Sequence, residues 1–340
     1  MAQGANIYAV ARRAEVSIAT VSRVERGSAG VAPDTRSKVL DAISALSYRP
    51  SPLGRALAER RHGATGIVFP DLSGPYYSEV LRGYKDQAVK VRQAVLILGT
   101  HGRSDCENLV LDLAGRVDGL LIMGRTVDDR VVAELEERGV PVVLLARPPV
   151  GAAPAVRAHS FEVAALITQH LFEHGHRQIA FIGDPELSPD AAERWRGFLA
   201  AHAANGVTAP SRPVPSTFRV EAGRRAASVT LDQDQPRRPS ALVCANDEIA
   251  IGACQAAAAL GARIPDDVAV TGWDDILAAR LLRPALTTVR QPMHALGAEA
   301  CSLLIARIED GDAVAQDVYL ESEMQVRESC GCHSNERGGR

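Results

Sequence analysis

The chain has 340 residues, 46% of them hydrophobic and 23% charged, with a formal net charge of −3. That length suits two or three units of roughly 100–200 residues each, with the balance of an ordinary globular protein. No window offers about 18 consecutive apolar residues, which excludes a transmembrane helix. The first residues lack a basic stretch followed by an apolar run, so no secretory leader is expected. Six cysteines are scattered at 106, 244, 254, 301, 330 and 332, as expected of reduced thiols in a cytoplasm rather than of a disulfide framework.

The charge is unevenly spread. Residues 1–62 hold one Lys and nine Arg against five carboxylates, a net of +5, so the remaining 278 residues carry −8. A small basic head on a larger acidic body points to a unit that meets a polyanion and a body with another task. Within the head, Ile7, Val10, Ala11 and Ala14 form an apolar stripe, with Asn6 placed to cap the helix. A second helix is predicted from Ser17, with Val21 and Val24 facing inward, and a third from about Pro33 with Val39, Ala42, Ile43 and Leu46 on one face. Helix, short turn, helix and a supporting helix is the helix-turn-helix pattern, although the spacing alone also fits a generic three-helix bundle. Pro50 and Pro52 stop the third helix, and a short Arg-rich helix to about Arg61 can follow, marginal by itself.

From Thr65 the texture changes. Apolar runs at 66–70, 94–100, 119–124, 140–146, 178–183, 241–246 and 268–273 alternate with helix-length sequence, as parallel sheets covered on both faces require. So many units suggest two doubly wound lobes with a cleft where the strand C-termini open. The body holds no glycine-rich phosphate loop, no G-x-G-x-x-G after a strand and no G-x-S-x-G elbow, so an enzyme is not expected. Cys330, Cys332 and His333 offer only three ligands in a segment, 330–340, expected to be a disordered tail, and no metal or cofactor is expected. His170, His174 and His176 cluster where a helix ends, and His174 or His176 is expected to complement the helix dipole there.

The stretches "VARRAEVSIATVSRV", "VAPDTRSKVLDAISALSYRP", "VDGLLIMG", "GVPVVLLARP", "GHRQIAFIG", "ANDEIAIG", "IPDDVAVTGWDD", "PALTTVRQP" and "VRES" resemble, in order and spacing, the LacI/GalR family of bacterial transcriptional repressors, from about Asn6 to Ser329. The resemblance implies an α/β protein: an all-α helix-turn-helix headpiece (1–48), a hinge helix or linker (49–62), and a core of doubly wound parallel sheets similar to periplasmic sugar-binding proteins. The first core lobe would comprise 63–160 and 291–320, the second 161–290 and 321–329. It also implies a cytoplasmic homodimer on a pseudo-palindromic operator in double-stranded DNA, controlled by a small effector between the lobes.

In that frame the second helix enters the major groove. Ile18 and Ala19 lead it and can only pack on thymine methyls, whereas Arg23 can fork onto guanine O6 and N7. Ser17, Thr20 and Ser22 complete the DNA-facing set, Thr20 and Ser22 as phosphate contacts that set register. Leu57 holds the position where the family wedges a leucine into the minor groove, with Arg55 as its hinge companion. For the effector the resemblance implies Tyr76, Tyr77, His159, Arg194, Phe218, Asn246 and Asp274. Aromatic faces with donors and acceptors suit a carbohydrate, and suit a nucleoside or purine as well. Capping of the helices that follow their strands is the competing use for Asn246 and Asp274. His159-Ser160, Ala146 and Ser73-Gly74-Pro75 depart from the usual pocket, so a common hexose is not carried over. Those departures leave room for an inert cleft answering to a partner protein, while an exported solute-binding protein would leave the basic head unexplained. In the head, Glu15 replaces a usual turn glycine and Ala32 a usual capping serine. No leucine heptad follows residue 329 to support a tetramer.

Overall fold

The computed structural model describes residues 6–25, 27–49, 61–233, 238–310 and 316–332. The chain divides into two units at Gly63, and the hinge expected at 49–62, with Arg55 and Leu57, lies almost wholly outside the described residues.

The head is built from α1 (Ile7–Ala14), α2 (Ile18–Glu25) and α3 (Pro33–Ala45). The Asn6 side chain caps α1 by accepting from the Ala9 amide at 3.0 Å. Ser17 does the same for α2, accepting from the Thr20 amide at 3.1 Å. Val10, Val21 and Val39, one from each helix, are fully buried together with Ala11, Ala14, Val24 and Ala42. Glu15 closes α1 at φ 54° and ψ 42°, a left-handed conformation that costs an L-residue about 1–2 kcal/mol. The turn geometry has therefore been kept without the glycine. Ala32 precedes Pro33 and caps nothing.

Each of the seven apolar runs forms a strand. The first lobe carries a six-stranded, all-parallel sheet ordered β10-β5-β4-β3-β1-β2. Its strands are β1 (Ala64–Phe69), β2 (Ala94–Gly99), β3 (Leu120–Met123), β4 (Val142–Leu145), β5 (Ala155–Ala158) and β10 (Val318–Leu320). Helices α4 (Pro75–Lys90), α5 (Cys106–Ala114) and α6 (Asp129–Glu137) connect the early strands. The second lobe pairs β6 (Ile179–Ile182), β7 (Ala241–Cys244) and β8 (Ala269–Thr271) in parallel, with a small antiparallel ladder of β9 (Thr288–Arg290) and β11 (Glu323–Gln325). Around it lie α7 (Phe161–Glu173), α8 (Pro189–Ala204), α9 (Val220–Leu231), α10 (Asp247–Ala259) and α11 (Leu277–Leu281). After β9 the chain returns to the first lobe as α12 (Met293–Glu309), which packs on α4.

That last contact is bare backbone on backbone. A Cβ on Gly83 of α4 would sit 1.9 Å from the His294 carbonyl oxygen, and one on Gly297 of α12 would sit 1.9 Å from that of Val80. Strands β5, β9, β10 and β11 were not foreseen. They are three or four residues long, too short to display a period.

Residues 330–332, placed by the sequence in a disordered tail, are packed against the body instead. Ser329 and Cys330 are buried, the Val270 amide donates to the Ser329 carbonyl, and Gly331 closes a turn onto Glu328. Residues 330–332 thus pack on the second lobe, and His333 onward lies outside the described residues.

Candidate nucleic-acid interface and effector cleft

In the head, α2 turns Val21 and Val24 into the core, so Ile18, Ala19, Ser22 and Arg23 share the opposite face at i and i+4 spacing. Ile18, Ala19 and Arg23 are exposed, while Thr20 and Ser22 are half-buried. The Ser17 and Thr20 hydroxyls lie 2.9 Å apart and are hydrogen-bonded to each other, which fixes the first turn before any phosphate is met. Tyr8, 60% exposed on α1, and Arg12 border a shallow hollow that Ser17 and Ile18 complete. The sequence signal for Tyr8 was an aromatic ring off the apolar stripe of its helix.

In the core, the expected cleft residues lie beyond the carboxyl ends of β1, β6, β7 and β8, where ligands of open α/β sheets sit. Tyr76 and Tyr77 open α4 behind Pro75, their rings edge-on at 5.5 Å. Arg194 projects from α8, buried, and donates from Nη1 to the Ala245 carbonyl at 2.6 Å with its guanidinium 4.4 Å over the Trp273 ring. Asp274 is buried and accepts from Gln291 Nε2 at 2.6 Å. Burial pushes its carboxyl up to about 7, against the pull of Arg194 and Gln291. Burial, together with the Asp190 and Asp274 carboxylates, also lifts the Tyr76 phenol well above its ordinary value. These mutual influences place Tyr76, Asp190, Arg194 and Asp274 in one polar cluster.

Several atoms around that cluster are buried with no hydrogen-bond partner among the described residues: Tyr76 Oη, Arg194 Nε, Trp273 Nε1 and Gln291 Oε1. Such atoms each cost about 1–3 kcal/mol, which a polar ligand recovers. Across the cleft mouth, Arg219 at the start of α9 pairs with Asp71 after β1, and Gly74 abuts Glu248, whose Oε2 would lie 3.0 Å from a Cβ there.

Not every expected residue joins the cluster. The Asn246 side chain caps α10, its Oδ1 accepting from the Ile249 amide at 2.9 Å, so its capping use is real. Asp274 caps no helix. Phe218 packs on the apolar core of the second lobe. His159 stacks on Tyr319 at 5.2 Å, between Glu162 and Glu321. Asp190, Trp273 and Gln291 were missed. Asp190 stands one turn before Arg194 on α8, but after Ser-Pro it reads only as a helix start.

Two family models match the chain: "Bacterial regulatory proteins, lacI family" over residues 6–51, and "Periplasmic binding protein-like domain" over 168–330. Catabolite control protein A of Priestia megaterium is 33% identical over 328 residues, which span 95% of this chain and 98% of the relative. The chain belongs to the LacI family. Another LacI-family relative, the HTH-type transcriptional repressor PurR of Proteus mirabilis, is 33% identical with 96% of each chain covered. The fold also matches the lac repressor dimer bound to operator and the anti-inducer ONPF, at TM-score 0.85 and 27% identity over 96% of this chain and 99% of that one. A transcriptional regulator CelR–cellobiose complex matches at TM-score 0.73 and 31% identity, over 96% and 99%. As a LacI-family member the chain is a DNA-binding transcriptional regulator and not an enzyme. No helix among the described residues is long and apolar enough to cross a membrane.

Proposed function

We propose that the chain is a cytoplasmic, homodimeric repressor. Its headpiece (1–48) and hinge (49–62) hold a pseudo-palindromic operator, and a carbohydrate-like effector in the core cleft sets its affinity for that operator. On DNA the assigned roles are base readout for Arg23, thymine-methyl packing for Ile18 and Ala19, phosphate contacts for Thr20 and Ser22 beside the capping Ser17, and hinge contacts for Arg55 and Leu57. Dimerisation is supported by the sheet edge at β2, which leaves Ile97 44% exposed beside exposed Val89 and Val91.

The effector reading rests on one observation: the unpartnered buried polar atoms of Tyr76, Arg194, Trp273 and Gln291 surround Asp274. Hydroxyls of a sugar or polyol match these donors and acceptors, and the Tyr76 and Tyr77 rings suit the apolar face of a pyranose. A nucleoside is the second reading, since the same rings can stack on a base. The test is a thermal-shift panel of sugars, sugar phosphates, polyols and nucleosides on the full chain. A ligand specific to the folded state raises the midpoint in a dose-dependent way, following RT ln(1 + [L]/Kd). A sugar hit abolished by Arg194→Ala and by Asp274→Ala is expected, together with a change in operator affinity. No shift across the panel would overturn the effector reading and favour a cleft that answers to a partner protein.

A further inference from the structure

The molecule has a second cluster of chemistry-bearing groups, on the second lobe and involving none of the cleft residues. Cys330 and Cys332 lie at the end of the described chain, and His170 and His174 stand one turn apart at the end of α7. The fold brings them together across about 160 residues of sequence. His170 Nε2 is 3.2 Å from Cys330 Sγ and 3.6 Å from Cys332 Sγ, and His174 Nε2 is 3.0 Å from Cys332 Sγ. The donor atoms of His170, Cys330 and Cys332 all lie within 4.8 Å of one another.

We propose that His170, His174, Cys330 and Cys332 form a Cys2His2 site for a zinc ion that fastens the C-terminal segment to α7.

Zinc bonds of about 2.3 Å to sulfur and 2.0–2.1 Å to nitrogen, at tetrahedral angles, separate an S and an N ligand by about 3.6 Å. Three of the four S···N edges such a site needs measure 3.0–3.6 Å here; His174 lies outside the set of donors gathered within 4.8 Å, so its ring must swing further in to close the tetrahedron. The surroundings are also those of a metal site. His174 Nδ1 lies 2.8 Å from the His170 carbonyl oxygen. A carbonyl only accepts, so the His174 proton sits on Nδ1 and the Nε2 lone pair faces Cys332, the tautomer a metal needs. Histidine ligands are commonly oriented by such a bond from the other ring nitrogen. The Thr287 hydroxyl donates to Cys330 Sγ at 3.0 Å, a bond that supports a thiolate. Gly331, at φ 95°, turns the chain between the two cysteines so that both thiols reach the same histidine. The ring at 174 thus serves the helix end, as its sequence position suggested, while presenting its other nitrogen to sulfur. The three-ligand objection raised by the sequence disappears once the two helix histidines are counted.

The experiment uses the full chain, purified under reducing conditions, stripped with a chelator, and titrated with cobalt(II) as a spectroscopic probe. One equivalent should produce the visible bands of tetrahedral cobalt and a near-ultraviolet thiolate charge-transfer band, both erased by one equivalent of zinc. His174→Ala and Cys332→Ser alter exposed or half-buried positions and should lose both bands while operator binding persists; Cys330→Ser alters a buried position and is the riskier variant. Elemental analysis should find one zinc per untreated wild-type chain and none in those variants, and chelation should lower the wild-type melting midpoint to theirs. Absence of the thiolate band, or a band unchanged in His174→Ala and Cys332→Ser, would overturn the proposal. So would a Cys330–Cys332 disulfide whose reduction restores no metal affinity.

Discussion

Asp274 and Asp275 are neighbours in the chain and opposites in chemistry. Asp274 faces the cleft with Gln291 as its hydrogen-bond donor, and burial drives its carboxyl up to about 7. Asp275 is fully buried and accepts from Arg280, Arg290 and Arg327; burial opposes ionisation there too, but the three guanidiniums prevail and hold the carboxyl below its ordinary range. The raised value at Asp274 has a definite sign. Between pH 4 and about 7 the folded protein keeps a proton that the unfolded chain, at an ordinary 3.8, has released. The slope of stability with pH follows protons bound unfolded minus folded, so this residue makes stability fall as pH rises through that window. Asp274→Asn should therefore flatten the melting-midpoint profile between pH 4 and 7 relative to wild type. An unchanged slope would show that the carboxyl titrates normally. On the DNA side, Arg23→Ala should weaken operator binding by about 1–3 kcal/mol and relax preference at one base pair. Binding assays on a set of single-base operator variants check both effects, and uniform weakening across the set would reassign Arg23 to a phosphate.

At the scale of elements, the contact between Pro75–Lys90 and Met293–Glu309 carries the first lobe. Those helices meet through Gly83 and Gly297, each against a carbonyl oxygen of the other helix. Gly83→Ala must push the pair apart by more than an ångström, since real Cβ contacts below 3.0 Å are not tolerated. Overpacking of this kind costs about 1–3 kcal/mol, readable as a lower urea midpoint of the full chain. Because Tyr76 and Tyr77 ride on the same helix, effector affinity should fall with it.

Legibility from sequence tracked the range of the forces involved. The head's stripe at Ile7, Val10, Ala11 and Ala14 and the long buried runs were plain because periodicity is local. Glu15 stands where the family resemblance implies a turn glycine, and the chain adopts φ 54° there. The cleft was half legible. Arg194 and Asp274, both named by motif matching, share one polar cluster, but His159 turns to Tyr319, and Tyr319 lies on a three-residue strand that no pattern revealed. Gln291 acts through a partner distant in sequence, Asp274, and Asp190, though one turn from Arg194, reads in the sequence only as a helix start. The histidine–cysteine cluster was least legible of all, because its halves stand about 160 residues apart and a short tail motif gave no hint of what it would meet.

For the molecule as a whole, the sheet order has a consequence for biosynthesis. The chain passes between the lobes three times: after β5, after β9 and after β10. The first lobe's sheet is bounded on one side by Val318–Leu320 and its face is covered by Met293–Glu309. As the nascent chain leaves the ribosome, β1 to β5 emerge early but must wait, one edge bare and one face uncovered, until the entire second lobe has been made. Exposed strand edges and apolar faces are where growing chains stick to one another. A chain stalled within the second lobe would present that bare edge and that incompletely covered face to its neighbours until synthesis resumed.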